Sequence, residues 1–246
     1  IINKMFIFNS SIGKKFIQAV SGAFLILFLG LHVTINFFSV IDSFTGKYGI
    51  AAADSKLFTA GDGLFKLGCD FMSTPVISIM VPILAAGFAI HILYAIWLTI
   101  KNIVARGGFK RYEVASKAAV DSWSAKNMFV LGIIVVLGIA LHLTDFWAKM
   151  QLEMFKGGAE GNPYELMNLT FGKWWVLVLY LIWFIALWFH LTHGFWSALH
   201  TLGWNNDIWL KRWKVICGIY VTIILLGFAL IAIYAFCKAN CLCGCC

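Results

Sequence analysis

Five apolar runs, each of about 20 residues or more, alternate with polar connections along the chain. They cover residues 16–41, 76–100, about 127–147, 174 to about 199, and 215–236. At 1.5 Å of rise per residue, about 20 helical residues cross the roughly 30 Å hydrocarbon core of a bilayer. Lipid offers the backbone no hydrogen-bond partner, so such a run must satisfy its own amides as a helix. The pattern therefore predicts an all-α fold, an integral membrane bundle of five transmembrane helices. Pro82 falls inside the second run, where neighbouring helices can absorb a kink. Tryptophans gather at the ends of several runs (Trp123, Trp147, Trp174, Trp175, Trp204, Trp209, Trp213), as an interfacial aromatic belt would place them.

Composition agrees with this pattern. Of the 246 residues, 61% are hydrophobic and 12% charged, against about 25% charged in soluble domains. The first run is too long for the core of a cleavable signal peptide, about 7–15 residues, and is expected to remain as a span. Residues 1–236 read as one membrane domain. The last ten positions form a tail crowded with Cys237, Cys241, Cys243, Cys245 and Cys246; its spacing lacks the paired C-x-x-C of a zinc or redox site, and no role is assigned to it.

The net charge of +8 does not point to nucleic acid, because the basic residues form no stripe and sit at span ends. Their distribution instead predicts orientation. Lys4, Lys14 and Lys15 precede the first span; Lys101, Arg106, Lys110, Arg111, Lys117 and Lys126 occupy the second connection; Lys211, Arg212 and Lys214 occupy the fourth. In the first and third connections acids offset the lysines. The positive-inside rule then puts the N-terminus in the cytoplasm and the C-terminus outside.

Of six histidines, four fall one per span on the first four: His32, His91, His142 and His190. Counted from the cytoplasmic ends, His32 and His142 lie roughly 24 Å deep, and His91 and His190 roughly 14–15 Å. The imidazoles sort into an outer and an inner level. A haem iron takes two axial imidazoles from opposite sides, so two helices must offer histidines at one depth, and this chain does so twice. A lone intramembrane histidine is more often a hydrogen-bonded packing residue. Four at two matched depths instead suggest two bis-histidine b haems, His32 with His142 and His91 with His190 as iron ligands. Gly87, Gly138 and Gly194 each stand four residues from a ligand on the same helix face and are expected to clear room for a porphyrin edge. Small residues also serve plain helix packing. His193 is the rival to His190 and otherwise a propionate contact or packing residue; His200 belongs at the interface. With both axial positions filled, such haems would carry electrons and bind no substrate.

With these residues in place, the chain resembles the cytochrome b subunit of succinate:quinone oxidoreductases (succinate dehydrogenases and fumarate reductases), in its single-subunit, five-helix, two-haem class. The stretches that carry the resemblance are Gly13-Lys-Lys-Phe-Ile-Gln18 through Ser21-Gly22, Phe189-His190-Leu-Thr-His193-Gly194-Phe-Trp-Ser197, and Leu202-Gly203-Trp204; it covers nearly the whole chain to Phe236. The family pairs its first helix with the third and its second with the fourth, in agreement with the depths. The resemblance implies that Gln18 and Ser21 lie near the inner haem's propionates. It implies docking to a flavoprotein subunit and an iron–sulfur subunit on the cytoplasmic face, which carry FAD, the iron–sulfur clusters and the dicarboxylate chemistry. It further implies a quinone, menaquinone, near the outer haem, and a bacterial inner (cytoplasmic) membrane location in a complex able to dimerise. Asp145, three residues after His142, is the candidate for quinone proton exchange, with Asp54, Asp62 and Asp70 behind it; for each, a solvated loop acid is the plainer reading. One departure stands out: where some members carry a glutamate two residues before the fourth-helix ligand, this chain has Trp188.

Two rival functions are weighed. Another respiratory cytochrome b anchor, of the hydrogenase or formate dehydrogenase type, would share the haems and differ in its soluble partners. A haem-free transporter would want charged or discontinuous midplane helices, and beyond Pro82 the spans show little of either.

Overall fold

The computed structural model describes residues 10–44, 63–72, 74–108, 123–150, 163–204 and 206–240. The described residues are helical with no strand. In chain order the helices are α1 (Ser11–Phe44), α2 (Leu64–Met72), α3 (Pro75–Ala105), the single turn α4 (Trp123–Lys126), α5 (Met128–His142), α6 (Pro163–Phe171), α7 (Trp174–Thr201) and α8 (Asp207–Ala239). A π-helical turn, Leu143–Trp147, continues α5. Five stretches among these are long and apolar enough to cross a membrane: Ser11–Ser43, Ile79–Ala105, Met128–Met150, Trp174–Thr201 and Ile208–Ala239. The protein is thus a multi-pass all-α membrane protein. Leu27, Leu93, Leu137, Ile185 and Ile223 are among many large apolar side chains left exposed, as suits helices whose solvent is lipid.

The helix ends follow local chemistry. Ser10 caps α1, its hydroxyl accepting from the amide of Gly13 at 2.9 Å. Gly107 closes α3 with φ of +74°, and the amide of Gly108 reaches back to the carbonyl of Ile103 at 3.0 Å. Gly203, with φ of +89°, closes α7 in the same way, the amide of Trp204 bonding the carbonyl of Leu199 at 3.0 Å. Asn206 then caps α8, its Oδ1 accepting from the amides of Ile208 at 3.1 Å and Trp209 at 2.7 Å. This cap explains why α8 starts at Asp207, well before the apolar run at 215. Its first turns carry Trp209, Lys211, Arg212, Trp213 and Lys214, which hydropathy alone does not read as span.

The chain divides into two compact units. The first comprises 1–29, 75–132 and 189–221. Its core includes Trp196, Leu199 and Cys217, with Phe195, Leu210 and Trp213 packed against them. Lys14 places its ammonium over the ring of Trp97, 3.7 Å from the centroid, a cation–π contact.

The second unit comprises 30–74, 133–188 and 222–246. Its core gathers Phe65, Phe171, Tyr180, Phe184 and Ala235 among others. The fully buried carboxylate of Asp42 accepts the amides of Leu64 at 3.0 Å and Phe65 at 2.7 Å, so a residue of α1 caps the N-terminus of α2. Lys238 on α8 donates to Ser43 Oγ at 2.8 Å and Tyr164 Oη at 2.6 Å, and Tyr234 donates to the same serine at 2.7 Å. That network joins α1, α6 and α8.

Candidate functional site

In the second unit, α1 carries His32 and α5 carries His142, and their rings meet with centroids 5.7 Å apart and planes 83° from each other. In the first unit, α3 carries His91 and α7 carries His190, with centroids 6.5 Å apart and planes at 72°. Each unit therefore holds one of the two pairs expected from histidine depth. At the fourth span the ring of His190 faces that of His91, while the ring of His193 lies edge-on to Trp196 at 5.1 Å. His200 is exposed at the end of α7.

The spacing of each pair can be compared with a shared metal. An imidazole nitrogen binds a metal at about 2.0–2.1 Å, which places two rings on one ion with centroids roughly 6.3 Å apart. The His91–His190 separation matches that value closely, and the His32–His142 pair is tighter by about half an ångström. Among the described residues, no group of three or more His, Cys, Asp or Glu side chains is placed to hold a metal ion. Each pair offers two imidazoles from different helices as possible donors. In the first unit the Nδ1 of His190 and the Oε1 of Gln18 are buried with no hydrogen-bond partner among the described residues, which leaves polar capacity there for a bound group.

Two of the three glycines expected to make room for a porphyrin edge have aromatic side chains beside them. A Cβ at Gly87 would meet the Phe24 ring at 3.1 Å, and one at Gly138 would run into the indole of Trp183. Aromatic rings, not open space, lie beside these two glycines; Gly194 does face open space. Two glycines that ligand spacing does not select stand nearer the imidazoles. A Cβ at Gly22 would come 3.0 Å from Cε1 of His91, and one at Gly132 would come 3.9 Å from Cε1 of His190. Both lie on a helix other than that of the histidine they face, so spacing along one helix does not reveal them.

Gln18 and Ser21, expected near propionates, bond to His91 itself. Gln18 Nε2 lies 3.2 Å from His91 Nε2, and Ser21 Oγ lies 3.2 Å from His91 Nδ1. On His32, the carboxamide nitrogen of Asn36 approaches Nδ1 at 3.4 Å while donating to the His32 carbonyl at 2.8 Å.

Around His142 the second unit builds a polar and aromatic shell. The π turn begins at the next residue and carries Asp145; such turns recur at functional sites. Asp145 Oδ2 accepts from the hydroxyl of Tyr180 at 3.1 Å, and Lys149 stands 3.6 Å from Oδ1. Tyr180 is almost wholly buried, with its ring 6.4 Å from that of His142. Trp183 stacks on His142 at 6.2 Å, and Phe146 lies 5.2 Å away. Asp70, by contrast, forms an exposed pair with Lys66 at 2.6 Å on α2; Asp54 and Asp62 lie outside the described residues, as does the tail after Asn240. Cys237, assigned to that tail, falls within α8. Trp188 donates from its indole to Thr222 Oγ1 at 2.9 Å. Sequence spacing does not reveal the Tyr180 and Trp183 contacts; an aromatic-rich α7 was the one available hint.

Comparison with protein-family models, with curated proteins and with solved structures finds no match to this chain.

Proposed function

We propose that this protein is a di-haem cytochrome b: the membrane anchor and electron-transfer subunit of a succinate dehydrogenase or fumarate reductase. His32 and His142 would hold one haem iron, His91 and His190 the other. What supports the reading is that each compact unit brings together two imidazoles from different helices, at 5.7 Å and 6.5 Å between centroids, in the pairing that equal depth along the spans requires. Bound between such pairs, haem supplies one-electron transfer at an iron closed to exogenous ligands.

The chain's own residues orient and insulate those positions. Ser21 and Gln18 fix the ring of His91, and Trp183 and Phe146 pack on that of His142. Asp145, which has the Tyr180 hydroxyl on one carboxylate oxygen and Lys149 near the other, would exchange a proton with a quinone, here menaquinone. The N-terminus would be cytoplasmic and the C-terminus outside, in a bacterial inner membrane. The basic second and fourth connections would face an iron–sulfur subunit and a flavoprotein subunit, which carry out the dicarboxylate chemistry.

The test is purification of the tagged chain in mild detergent from its native membrane. A reduced-minus-oxidised b-type spectrum, with copurifying flavin and iron–sulfur polypeptides, is the expected result. A haem-bearing chain with molybdenum- or nickel-containing partners would move it to another respiratory anchor, and a colourless chain would refute the reading.

A further inference from the structure

The first unit contains a hydrogen-bond chain whose directions can be counted. The side chain of Ser21 is buried, and its hydroxyl has one hydrogen to give. Ser21 Oγ lies 2.9 Å from the carbonyl oxygen of Ile17 and 3.1 Å from that of Gln18. A carbonyl only accepts, so the serine hydrogen goes to the helix backbone. The remaining contact of Ser21 Oγ, with His91 Nδ1 at 3.2 Å, is then one in which the imidazole donates. A neutral imidazole carries one hydrogen, which leaves Nε2 of His91 with a bare lone pair. The carboxamide nitrogen of Gln18, 3.2 Å from that Nε2, donates to it, and Oε1 of Gln18 is buried with no partner among the described residues.

We infer that Ser21 is a positioning residue: it holds the hydrogen of His91 on Nδ1 and so presents the Nε2 lone pair, with Gln18 as the group that covers that lone pair until a metal takes it. Metal-bound histidines generally donate their second ring N–H to a neighbouring acceptor, which fixes both tautomer and ring orientation. Ser21 supplies that acceptor from a different helix, immediately before the glycine whose missing side chain lets the ring approach. Gly22 stands beside Cε1 of His91, where a Cβ would sit at 3.0 Å. A larger residue at 22 would push the imidazole off the serine. This inference rests on the haem reading for its purpose, but the tautomer it assigns does not depend on any bound group.

The experiment uses the full chain labelled with 15N-histidine and produced with haem synthesis blocked, His91 being assigned by its loss in His91→Leu. Nitrogen spectra separate a ring nitrogen that bears hydrogen from one that does not. The hydrogen is expected on Nδ1 in the wild type, with a shift toward Nε2 in Ser21→Ala and a return in Ser21→Thr, which keeps the hydroxyl. In the haem-loaded chain, Ser21→Ala is expected to shift the midpoint potential of one haem and leave the other, again with rescue by threonine. Hydrogen on Nε2 of wild-type His91, or an unchanged tautomer in Ser21→Ala, overturns the inference. A chain that never takes up haem overturns the functional reading instead, with the tautomer result unaffected.

Discussion

Trp183 lays its indole beside Gly138 and stacks on the imidazole of His142, with ring centroids 6.2 Å apart and planes 30° from parallel. Its Nε1 also donates to the carbonyl of Val135 at 3.3 Å. A side chain at 138 would occupy the position of the indole itself, so Gly138→Ala must displace Trp183 from both partners. Overpacking of this kind costs about 1–3 kcal/mol. Thermal unfolding in detergent should show that loss, together with depletion of the haem proposed for His32 and His142 and retention of the one proposed for His91 and His190. Trp183→Leu combined with Gly138→Ala should recover part of the stability. A single Gly138→Ala variant as stable and as haem-rich as the wild type would contradict this account of the contact.

Asp42 is a second test of the fold. Its buried carboxylate satisfies two amides at the start of α2, and loss of such a cap costs about 0.5–2 kcal/mol. Asp42→Ala should lose hydrogen-exchange protection through Leu64–Met72 first, while the spans stay protected.

Lys238 joins Ser43 and Tyr164 by two hydrogen bonds. Lys238→Met keeps the length of the side chain but removes one donor from each hydroxyl, while Ser43 keeps that of Tyr234. Hydrogen bonds to a charged group contribute about 1.5–3 kcal/mol each, so a clear fall in thermal stability is expected. Absorption of any bound haem should be unchanged. A loss of stability no larger than that of an exposed surface substitution would show the network to be incidental.

How much of this was legible in the sequence depends on how far each feature reaches. Span positions were legible because a bilayer sets a minimum apolar length, and the first four spans follow their runs within a few residues. The start of α8 was not, because its first turns mix Trp209 and Trp213 with Lys211, Arg212 and Lys214, and it is the Asn206 cap that starts the helix there. The short helix α2 depends on Asp42, a cap supplied from 22 residues earlier in the chain, and no local pattern announces it. The histidine pairs were legible because rise per residue in a helix is constant, so equal counts mean equal depth. The neighbours of those histidines were not. Ser21, Gly22 and Trp183 each reach a ring on another helix, and helix rotation, which sequence spacing leaves open, decides such contacts.

The fourth span offers a direct choice between adjacent histidines. His190 faces His91, and His193 lies against Trp196. His193→Leu should therefore retain two haems per chain, measured as pyridine haemochromogen, whereas His190→Leu should retain one. Reversed outcomes would assign the ligand to His193.

If two pairs of imidazoles each hold one haem, the haem content of four single variants will report it. His32→Leu and His142→Leu should both remove the same spectral component, and His91→Leu and His190→Leu should both remove the other, each variant keeping about one haem per chain. Loss of different components within a pair, or a wild-type chain that binds no haem, would contradict it.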